Sequence, residues 1–375
     1  MRCYFDHNAS TPVSPEAMDA FTQTALACFG NPTSIHADGQ AARRAVDDAR
    51  RNVAQLLGCQ PKEVTFVSGG TESDNLALFG IEASHLVISQ IEHPAVLEAA
   101  SELERRGARV TRVAVDSHGI VDLDAIRHAL AGGADLVSIM HANNETGAIQ
   151  PIAEIARMAH EAGATVHSDG VQAAGKVHLD MAALGVDLYS ITGHKFGGPK
   201  GAGALYVREG VKLKRMQYGG RHERERRPGT ENVPGIAALG SAAKWQHEHG
   251  ETERTRLDDL RGRLEQAVLA RIAAATVNCA AAPRTPNTSN IAFDGLDGEA
   301  LVIALDLSGF SIATGAACSS GAVNPSHVLT AMGLSRDQAK SCLRFSLGRT
   351  NTAEQVDALV DALESAVARL RRLAP

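Results

Sequence analysis

Residues 190–203 read SITGHKFGGPKGAG, and this stretch determines how the rest of the chain is interpreted. Lys195 follows a short apolar run, Leu188–Ile191, and precedes a loop with four glycines. Glycines let a backbone approach a bulky group closely, and a lysine held in such a place can form a Schiff base with a carbonyl cofactor. On spacing alone, a surface lysine beside a flexible turn is the more common arrangement. The stretch is not a phosphate-binding P-loop, because it lacks GxxxxGK[ST].

Short apolar runs alternate with amphipathic stretches on both sides of this motif. Between the runs lie helical patterns such as Pro94–Arg106 and Ile152–Ala162. Strand–helix alternation with few polar interruptions in the strands indicates a mainly parallel sheet that is covered on both faces. The predicted strands are Val64–Val67, Leu86–Ser89, Arg109–Ala114, Leu136–Met140, Thr165–His167, Leu188–Ile191 and Ala204–Val207.

The chain is long enough for two domains, since 375 residues exceed the usual size of one hydrophobic core. A long helical stretch, Ile236–Ala273, follows Pro234-Gly235 and leads into a segment that mixes strands with helices. We therefore predict a large α/β domain over residues 15–255. A smaller α+β domain is expected to comprise residues 1–14 and 256–375.

Composition narrows the classes of function. The net charge of −6 argues against a general affinity for nucleic acid or anionic membranes. The six cysteines show no CxxC spacing and no HExxH motif occurs, so neither a disulfide framework nor a metal site is predicted. The first residues do not resemble a signal peptide, and no apolar run is long enough to span a bilayer. We expect a cytoplasmic protein.

Residues 67–75, VSGGTESDN, leave a predicted strand, pass two glycines and enter a helix. Free backbone N–H groups and the helix dipole make such a junction suited to a phosphate. An ordinary glycine-containing turn, with Thr71 or Ser73 as the N-cap, explains the pattern equally well. The junction is therefore a candidate phosphate site.

Two further candidates follow predicted strands. Asp169 comes at the end of a buried strand, where open α/β sheets bind ligands, and its carboxylate could hold a protonated pyridine nitrogen. It could equally be a helix N-cap. His93 follows another strand, although a single histidine among 15 is usually just solvated or hydrogen-bonded.

Residues 314–321, TGAACSSG, place Cys318 among small residues between two glycines. Exposed thiols are usually avoided, so one on a flexible loop indicates reactivity. A lone cysteine is nevertheless more often structural. Each of these signals is individually weak.

In combination, the motifs resemble the NifS/IscS-type cysteine desulfurases of the class V aminotransferase superfamily, which are fold-type I enzymes that depend on pyridoxal phosphate (PLP). The resemblance covers nearly the whole chain, and the blocks agree in order and spacing. It implies an α/β fold in which the large domain carries a mainly parallel seven-stranded sheet. The matching blocks are YFDHNASTP (4–12), FGNPTSIH (29–36), GGTESDN (69–75), EHPAV (92–96), ANNETG (142–147) and RFSLGR (344–349).

The resemblance implies roles around the cofactor ring. Lys195 would bind PLP covalently, and His93 would stack on the ring and assist proton transfer. Asp169 would pair with the pyridinium nitrogen. Gln172 and Asn144 would bind the region of the phenolic oxygen.

The resemblance also implies how the phosphate and the substrate are held. Arg344 would bind the substrate carboxylate, for which its planar bidentate group is suited, and Asn144 would also contact the substrate. Thr230 would reach the phosphate of the other subunit's cofactor, which makes a homodimer necessary for a complete site. The remaining phosphate ligands would be Gly70, Thr71, Thr192 and His194.

Cys318 would attack the sulfur of L-cysteine as a thiolate, take it as a persulfide, and pass it to an acceptor such as an iron–sulfur scaffold. Its surroundings resemble the first group of the family, with a longer loop and a Pro-Ser-His-Val continuation. A transient iron–sulfur cluster at Cys318 is compatible with that grouping. The chain departs from the family's pattern at Thr192 (usually Ser), at Ala316 (often Ser) and in its short C-terminus, which leaves scaffold docking open.

Other functions remain open at this point. A selenocysteine lyase or another class V PLP enzyme would share most of these motifs, although a plain aminotransferase has no need of a thiol at Cys318. A non-catalytic protein with the same fold is disfavoured, because the sequence contains Lys195, Asp169, His93 and Arg344. Dinucleotide-dependent redox chemistry is not indicated, because the sequence has no GxGxxG turn after a predicted strand.

Overall fold

A seven-stranded mixed sheet forms the centre of the larger part of the molecule. The computed structural model describes residues 2–314 and 325–373. The sheet has the order β2-β8-β7-β6-β5-β3-β4, in which only β8 runs against its neighbours. Its strands are β2 (Val64–Val67), β3 (His85–Ser89), β4 (Arg109–Val113), β5 (Leu136–Ser138), β6 (Thr165–Asp169), β7 (Leu188–Thr192) and β8 (Gly203–Val207).

The strands form where their sequences are apolar on both faces. Every residue of β2, β3, β5, β7 and β8 is buried, as expected for strands covered by helices on both sides. In the register, Gly203 at the start of β8 lies between Val67 and Thr192, the last residues of β2 and β7. The carboxyl ends of the parallel strands therefore meet at one edge, which we call the carboxyl edge.

Helices cover both faces of this sheet, and their ends carry the expected caps. Ser14 caps the first helix, which starts with Pro15, and Gly58 ends the second in a left-handed conformation. The helices of this part are α1 (Pro15–Ala27), α2 (Ala37–Leu57), α3 (Gly70–Gly80), α4 (Pro94–Arg105), α5 (Leu123–Ala131), α6 (Ile152–Glu161), α7 (Met181–Leu184) and the long α8 (Val233–Arg271). None of the helices in the described part of the chain is both long and apolar enough to cross a membrane.

A second group of elements follows α8. It contains an antiparallel sheet of order β12-β10-β9 and a two-stranded parallel pair, β1 with β11. Its own hydrophobic cluster includes Phe5, Leu264, Phe293 and Phe345. We propose the predicted division into two domains on this basis. The elements are β1 (Cys3–Tyr4), β9 (Ala275–Val277), β10 (Thr288–Phe293), α9 (Gly298–Leu307), β11 (Phe310–Ser311), α10 (His327–Ala331), α11 (Arg336–Lys340), β12 (Cys342–Ser346) and α12 (Ala353–Leu373).

The seven predicted strands are all present, and no boundary differs by more than two residues. The two-residue differences are in β6, which extends past the predicted His167 to Asp169, and in β5, which was predicted to reach Met140 but ends at Ser138. The backbone N–H of Met140 donates to the Glu92 side chain at 3.0 Å instead of to a neighbouring strand. The buried Glu92 side chain thus takes the place of a neighbouring strand as hydrogen-bond partner. The local sequence pattern does not reveal such a contact.

Candidate active site

The carboxyl edge of the sheet brings together side chains that lie far apart in the sequence. Asp169 is the last residue of β6 and Thr192 the last of β7, while His93 follows β3 and Gly69 follows β2. Because these strands are parallel, their final residues face the same space. The predicted residues of the cofactor site therefore converge, as the strand pattern requires.

Lys195 ends a 3-10 turn, Gly193–Lys195, directly after β7. Its Nζ donates to the backbone oxygens of Asn8 at 2.6 Å and Ala9 at 3.0 Å. Burial lowers the pKa of this lysine to about 8, and the nearby positive charge of Arg344 acts in the same direction. A sizeable fraction of the amine is therefore unprotonated near neutral pH, which is the state that reacts with a carbonyl.

Asp169 is a buried carboxyl group whose charge is only partly compensated. It is 5% exposed, and its Oδ1 accepts the N–H of Val171 at 2.9 Å. Burial raises its pKa, while His93 and Lys195 oppose that shift. Among the described residues, only Oδ1 has a hydrogen-bond partner. The other oxygen fits a cationic N–H such as that of a protonated pyridine ring.

The turn between β2 and α3 offers backbone donors beside Thr192 that no described residue pairs with. Gly69 precedes α3 without a side-chain cap, so the first N–H groups of the helix are available. A Cβ on Gly203 would lie 2.8 Å from the Cα of Gly69, and one on Gly70 would lie 2.8 Å from Val171. The glycines thus allow the turn to pack directly against the carboxyl edge. This arrangement fits a phosphate held by Gly70, Thr71 and Thr192.

His194 lies between Thr192 and Lys195, as the sequence requires, but it points its ring toward the N-terminal segment. Its Nδ1 is 3.3 Å from the Ser10 hydroxyl. Burial lowers the pKa of His194 to about 4, with Lys195 adding to the effect. The ring is therefore neutral at physiological pH and would act on a phosphate as a hydrogen-bond donor only.

Arg344 comes from β12 of the second sheet and reaches the same site. It is buried, and its guanidinium donates to Asp6 Oδ1 at 2.6 Å and to the backbone oxygen of Asn144 at 3.1 Å. Its Nε is buried and has no hydrogen-bond partner in the described part of the chain. An unpaired buried donor on an arginine is costly unless an acceptor arrives. A substrate carboxylate meets that need.

The remaining predicted ring contacts are also near this space. His93 is exposed and caps α4, with its Nδ1 accepting the N–H of Ala95 at 3.1 Å. Gln172 is buried, and its Nε2 donates to the backbone oxygen of Asn8 at 2.9 Å. Asn144 is half-buried, and its backbone oxygen accepts from Arg344 and from the Asn8 amide at 3.1 Å each.

One predicted residue of the described part is not joined to this group. Thr230 is exposed and makes no side-chain hydrogen bond within residues 2–314 and 325–373. Cys318 lies outside the described residues. Burial raises the pKa of Cys279 and Cys342 to about 11 and that of Cys59 to about 12, so none of these three carries an activated thiol.

Three residues of the site were missed at the level of sequence. Asp6 pairs with Arg344, Asn8 bonds both Lys195 and Gln172, and Lys176 bonds both Asn8 and Gln172. The block at 4–12 already marked the first two as part of a motif. Nothing in the local pattern distinguishes Lys176 from a surface lysine.

Comparison with known proteins agrees with this geometry. The model of the Aminotransferase class-V family matches residues 3–359. A cysteine desulfurase from a Nostoc species is 45% identical over 377 residues, which covers 99% of this chain and 94% of that protein. The chain belongs to the cysteine desulfurases of the class-V aminotransferase family. The predicted family and the predicted enzyme class are thereby confirmed.

The fold of this desulfurase also agrees with solved structures of similar proteins. A NifS-like protein superposes with a TM-score of 0.92 at 34% identity, covering 99% of this chain and all of that one. SspA in complex with cysteine superposes with a TM-score of 0.82 at 32% identity, covering 92% of this chain and 99% of that one. The predicted α/β fold with a mainly parallel seven-stranded sheet is confirmed.

Proposed function

We propose that this desulfurase removes sulfur from L-cysteine with PLP bound at Lys195, forms alanine, and holds the sulfur as a persulfide on Cys318. One observation carries the proposal. A lysine with a pKa of about 8, a buried carboxyl group and a buried arginine face one space at the carboxyl edge, and the last two each have one polar atom that no described residue pairs with. A relative solved in complex with cysteine, SspA, supports the choice of substrate.

The residues of this chain fit the cofactor part by part. Asp169 would hold the ring nitrogen, and Gln172 and Asn144 would bind near the phenolic oxygen. His93 would stack on the ring. Gly70, Thr71, Thr192 and His194 would hold the phosphate. When bound, PLP withdraws electrons from the α-carbon of an attached amino acid and so weakens the bonds to that carbon.

The protein groups then orient the substrate and move protons. Arg344 binds the substrate carboxylate through its Nε, while Asp6 and the Asn144 backbone fix the rest of the guanidinium. The Nζ of Lys195 takes the proton from the α-carbon. Its pKa of about 8 suits this task, because a general base works best when its pKa lies near the working pH.

Sulfur leaves the substrate through Cys318, which lies outside the described residues. The thiolate of Cys318 forms an S–S bond with the substrate sulfur while the bond between that sulfur and Cβ breaks. The electron pair of the broken bond stays with the substrate carbon, which takes up a proton and becomes the methyl group of alanine. The persulfide then passes its outer sulfur to an acceptor protein.

A homodimer completes the site in this proposal. Several apolar side chains between residues 18 and 35 are exposed, among them Leu26 (78%), Phe29 (77%) and Ile35 (94%). Such side chains are favourable on a surface that meets a partner. Thr230 is exposed and has no side-chain partner among the described residues, which is the state needed to reach the phosphate in a second copy. An iron–sulfur scaffold as acceptor, a transient iron–sulfur cluster at Cys318 and a cytoplasmic location stay predictions.

The test is to load the purified protein with PLP, supply L-cysteine, and measure alanine and sulfide with and without a thiol reductant. Stoichiometric alanine without reductant and continued turnover with it are expected, because a reductant releases the persulfide sulfur. Cys318→Ala should keep the visible absorbance of the loaded protein and lose sulfide release, whereas Cys59→Ala should keep both. Undiminished sulfide release from Cys318→Ala would contradict the role of this thiol.

A further inference from the structure

Lys176 is a buried amine that the proposed reaction does not use. It is 6% exposed and follows Gly175, whose φ of +77° turns the chain after β6. Its Nζ donates to the side-chain oxygen of Asn8 at 2.8 Å and to that of Gln172. No carboxylate pairs with it in the described part of the chain. Burying a lysine without a counter-ion is costly, so its presence needs a reason.

The amine helps to set which way two neighbouring amides point, those of Asn8 and Gln172. An amine N–H can only donate, so the atoms of Asn8 and Gln172 that face Lys176 must be their oxygens. The amide nitrogen of Gln172 is thereby turned the other way, toward the backbone oxygen of Asn8 at 2.9 Å. That same backbone oxygen accepts from Lys195 at 2.6 Å. Lys176 is therefore linked through Asn8 to Lys195, the lysine that would bind the cofactor.

We infer that Lys176 is a positioning residue that holds the amide of Gln172 so that its nitrogen, not its oxygen, faces the ring oxygen of bound PLP. The inference rests on the proposed function, because Gln172 meets the cofactor only if PLP binds at Lys195. The Gln172 nitrogen has two hydrogens, and Asn8 takes one of them. The second is free for the ring oxygen. Without Lys176, only the bond from the Gln172 nitrogen to the Asn8 backbone oxygen opposes rotation of the amide, which would present an acceptor to the ring oxygen.

The groups around Lys176 are mostly cationic or neutral. Lys195 and Arg344 lie near enough to lower its pKa further below its usual range, after burial as the main cause. His7 and His194 feel its charge in turn, and burial holds the pKa of each of them near 4. The amine supplies N–H donors to both oxygens that Lys176 contacts.

The test is a spectroscopic pH titration of the PLP-loaded protein with Lys176→Met, a variant of similar length that cannot donate. A donor to the ring oxygen favours its negatively charged form, so losing the donor should raise the midpoint of the visible spectral change by about one pH unit. The equilibrium constant for PLP release should rise severalfold. Lys176→Gln is one atom shorter and reaches only one oxygen, so its midpoint should fall between those of wild type and Lys176→Met.

Three comparisons decide the outcome. Lys62→Met, at an exposed ion pair with Glu209, should leave the midpoint unchanged. In a Gln172→Leu background, Lys176→Met should add no further shift, because the amide it orients is gone. A purely structural role would lower the melting temperature of Lys176→Met with no change in midpoint, which overturns the inference. If Lys176→Met does not fold, Lys176→Gln carries the test, and an unshifted midpoint there overturns it equally.

Failure of the inference and failure of the proposed function give different results. Wild-type protein without a visible band after incubation with PLP would refute the proposed function, and with it this inference. A normal wild-type band together with unshifted Lys176 variants would refute the role of Lys176 alone.

Discussion

The carboxyl edge of the sheet and the 18–35 segment differ in how completely a single chain provides hydrogen-bonding or packing partners for their side chains. At the edge, Lys195, Gln172 and Arg344 are held by hydrogen bonds from residues distant in sequence. Along the 18–35 segment, large apolar side chains such as Phe29 and Ile35 are mostly exposed. One chain thus arranges the groups that perform chemistry. The segment, in contrast, has the surface expected of a region that another copy covers.

The largest effect should come from the centre of the edge. Lys195→Ala removes both the covalent attachment point for PLP and the proposed base, so alanine formation from L-cysteine should fall by about 10³-fold or more. Lys62→Ala, at an exposed lysine far along the chain, should retain full activity. Comparable rates for the two variants would show that the edge does not contain the reactive amine.

A smaller loss is expected when the charge at the end of β6 is removed. Asp169→Asn keeps the size of the side chain but cannot stabilise a protonated ring nitrogen, so the rate should fall by about 10²-fold. Visible absorbance of the loaded protein should persist, since Lys195 is intact. Asp48→Asn, at an exposed carboxylate, serves as the control. An Asp169→Asn variant with wild-type kinetics would separate this carboxylate from the chemistry.

The pH dependence of cofactor capture tests the electrostatics of the edge. Lys195 must be unprotonated to react, and its pKa is lowered from 10.5 to about 8. The rate at which apoprotein captures PLP should therefore rise about tenfold for each pH unit below 8 and level off above it. Stopped-flow absorbance between pH 6 and about 10 measures this. A rate that keeps rising toward pH 10 would mean that the amine is not buried.

A substitution in the 18–35 segment should have the smallest effect on the reaction and a clear effect on self-association. Phe29→Ser removes one large apolar side chain, which should weaken self-association about tenfold, while the dimers that still form should bind PLP. Leu307→Ser, at a residue 81% exposed elsewhere, is the matched control. Sedimentation velocity at several concentrations distinguishes them. Equal association by both variants would move the interface away from the 18–35 segment.

The sequence predicts the elements of the edge well because they are local. Most strands of the large sheet are short apolar runs that pattern alone can locate, whereas the edge strand β4 contains Arg109 and Arg112 and is only partly buried. Asp169 and Lys195 stand directly after such runs, and the parallel arrangement then forces them together. The helix α2, although amphipathic, was not predicted, since its buried face consists largely of alanine and valine.

What the sequence could not predict are contacts between distant segments. Asn8 reaches Lys176 across 168 positions, and Arg344 reaches Asp6 across 338. Neither pair has a local signal, because each depends on how the N-terminal segment lies across the carboxyl edge. The roles of these residues follow from tertiary packing, which only the folded arrangement supplies.

The most direct measurement is to load the protein with PLP, reduce it with borohydride, and identify the modified peptide by mass spectrometry. Reduction makes the bond between the cofactor and its lysine permanent. We predict a single adduct on Lys195. Modification of a different lysine, or an unmodified Lys195 in protein that carries PLP, would contradict the account.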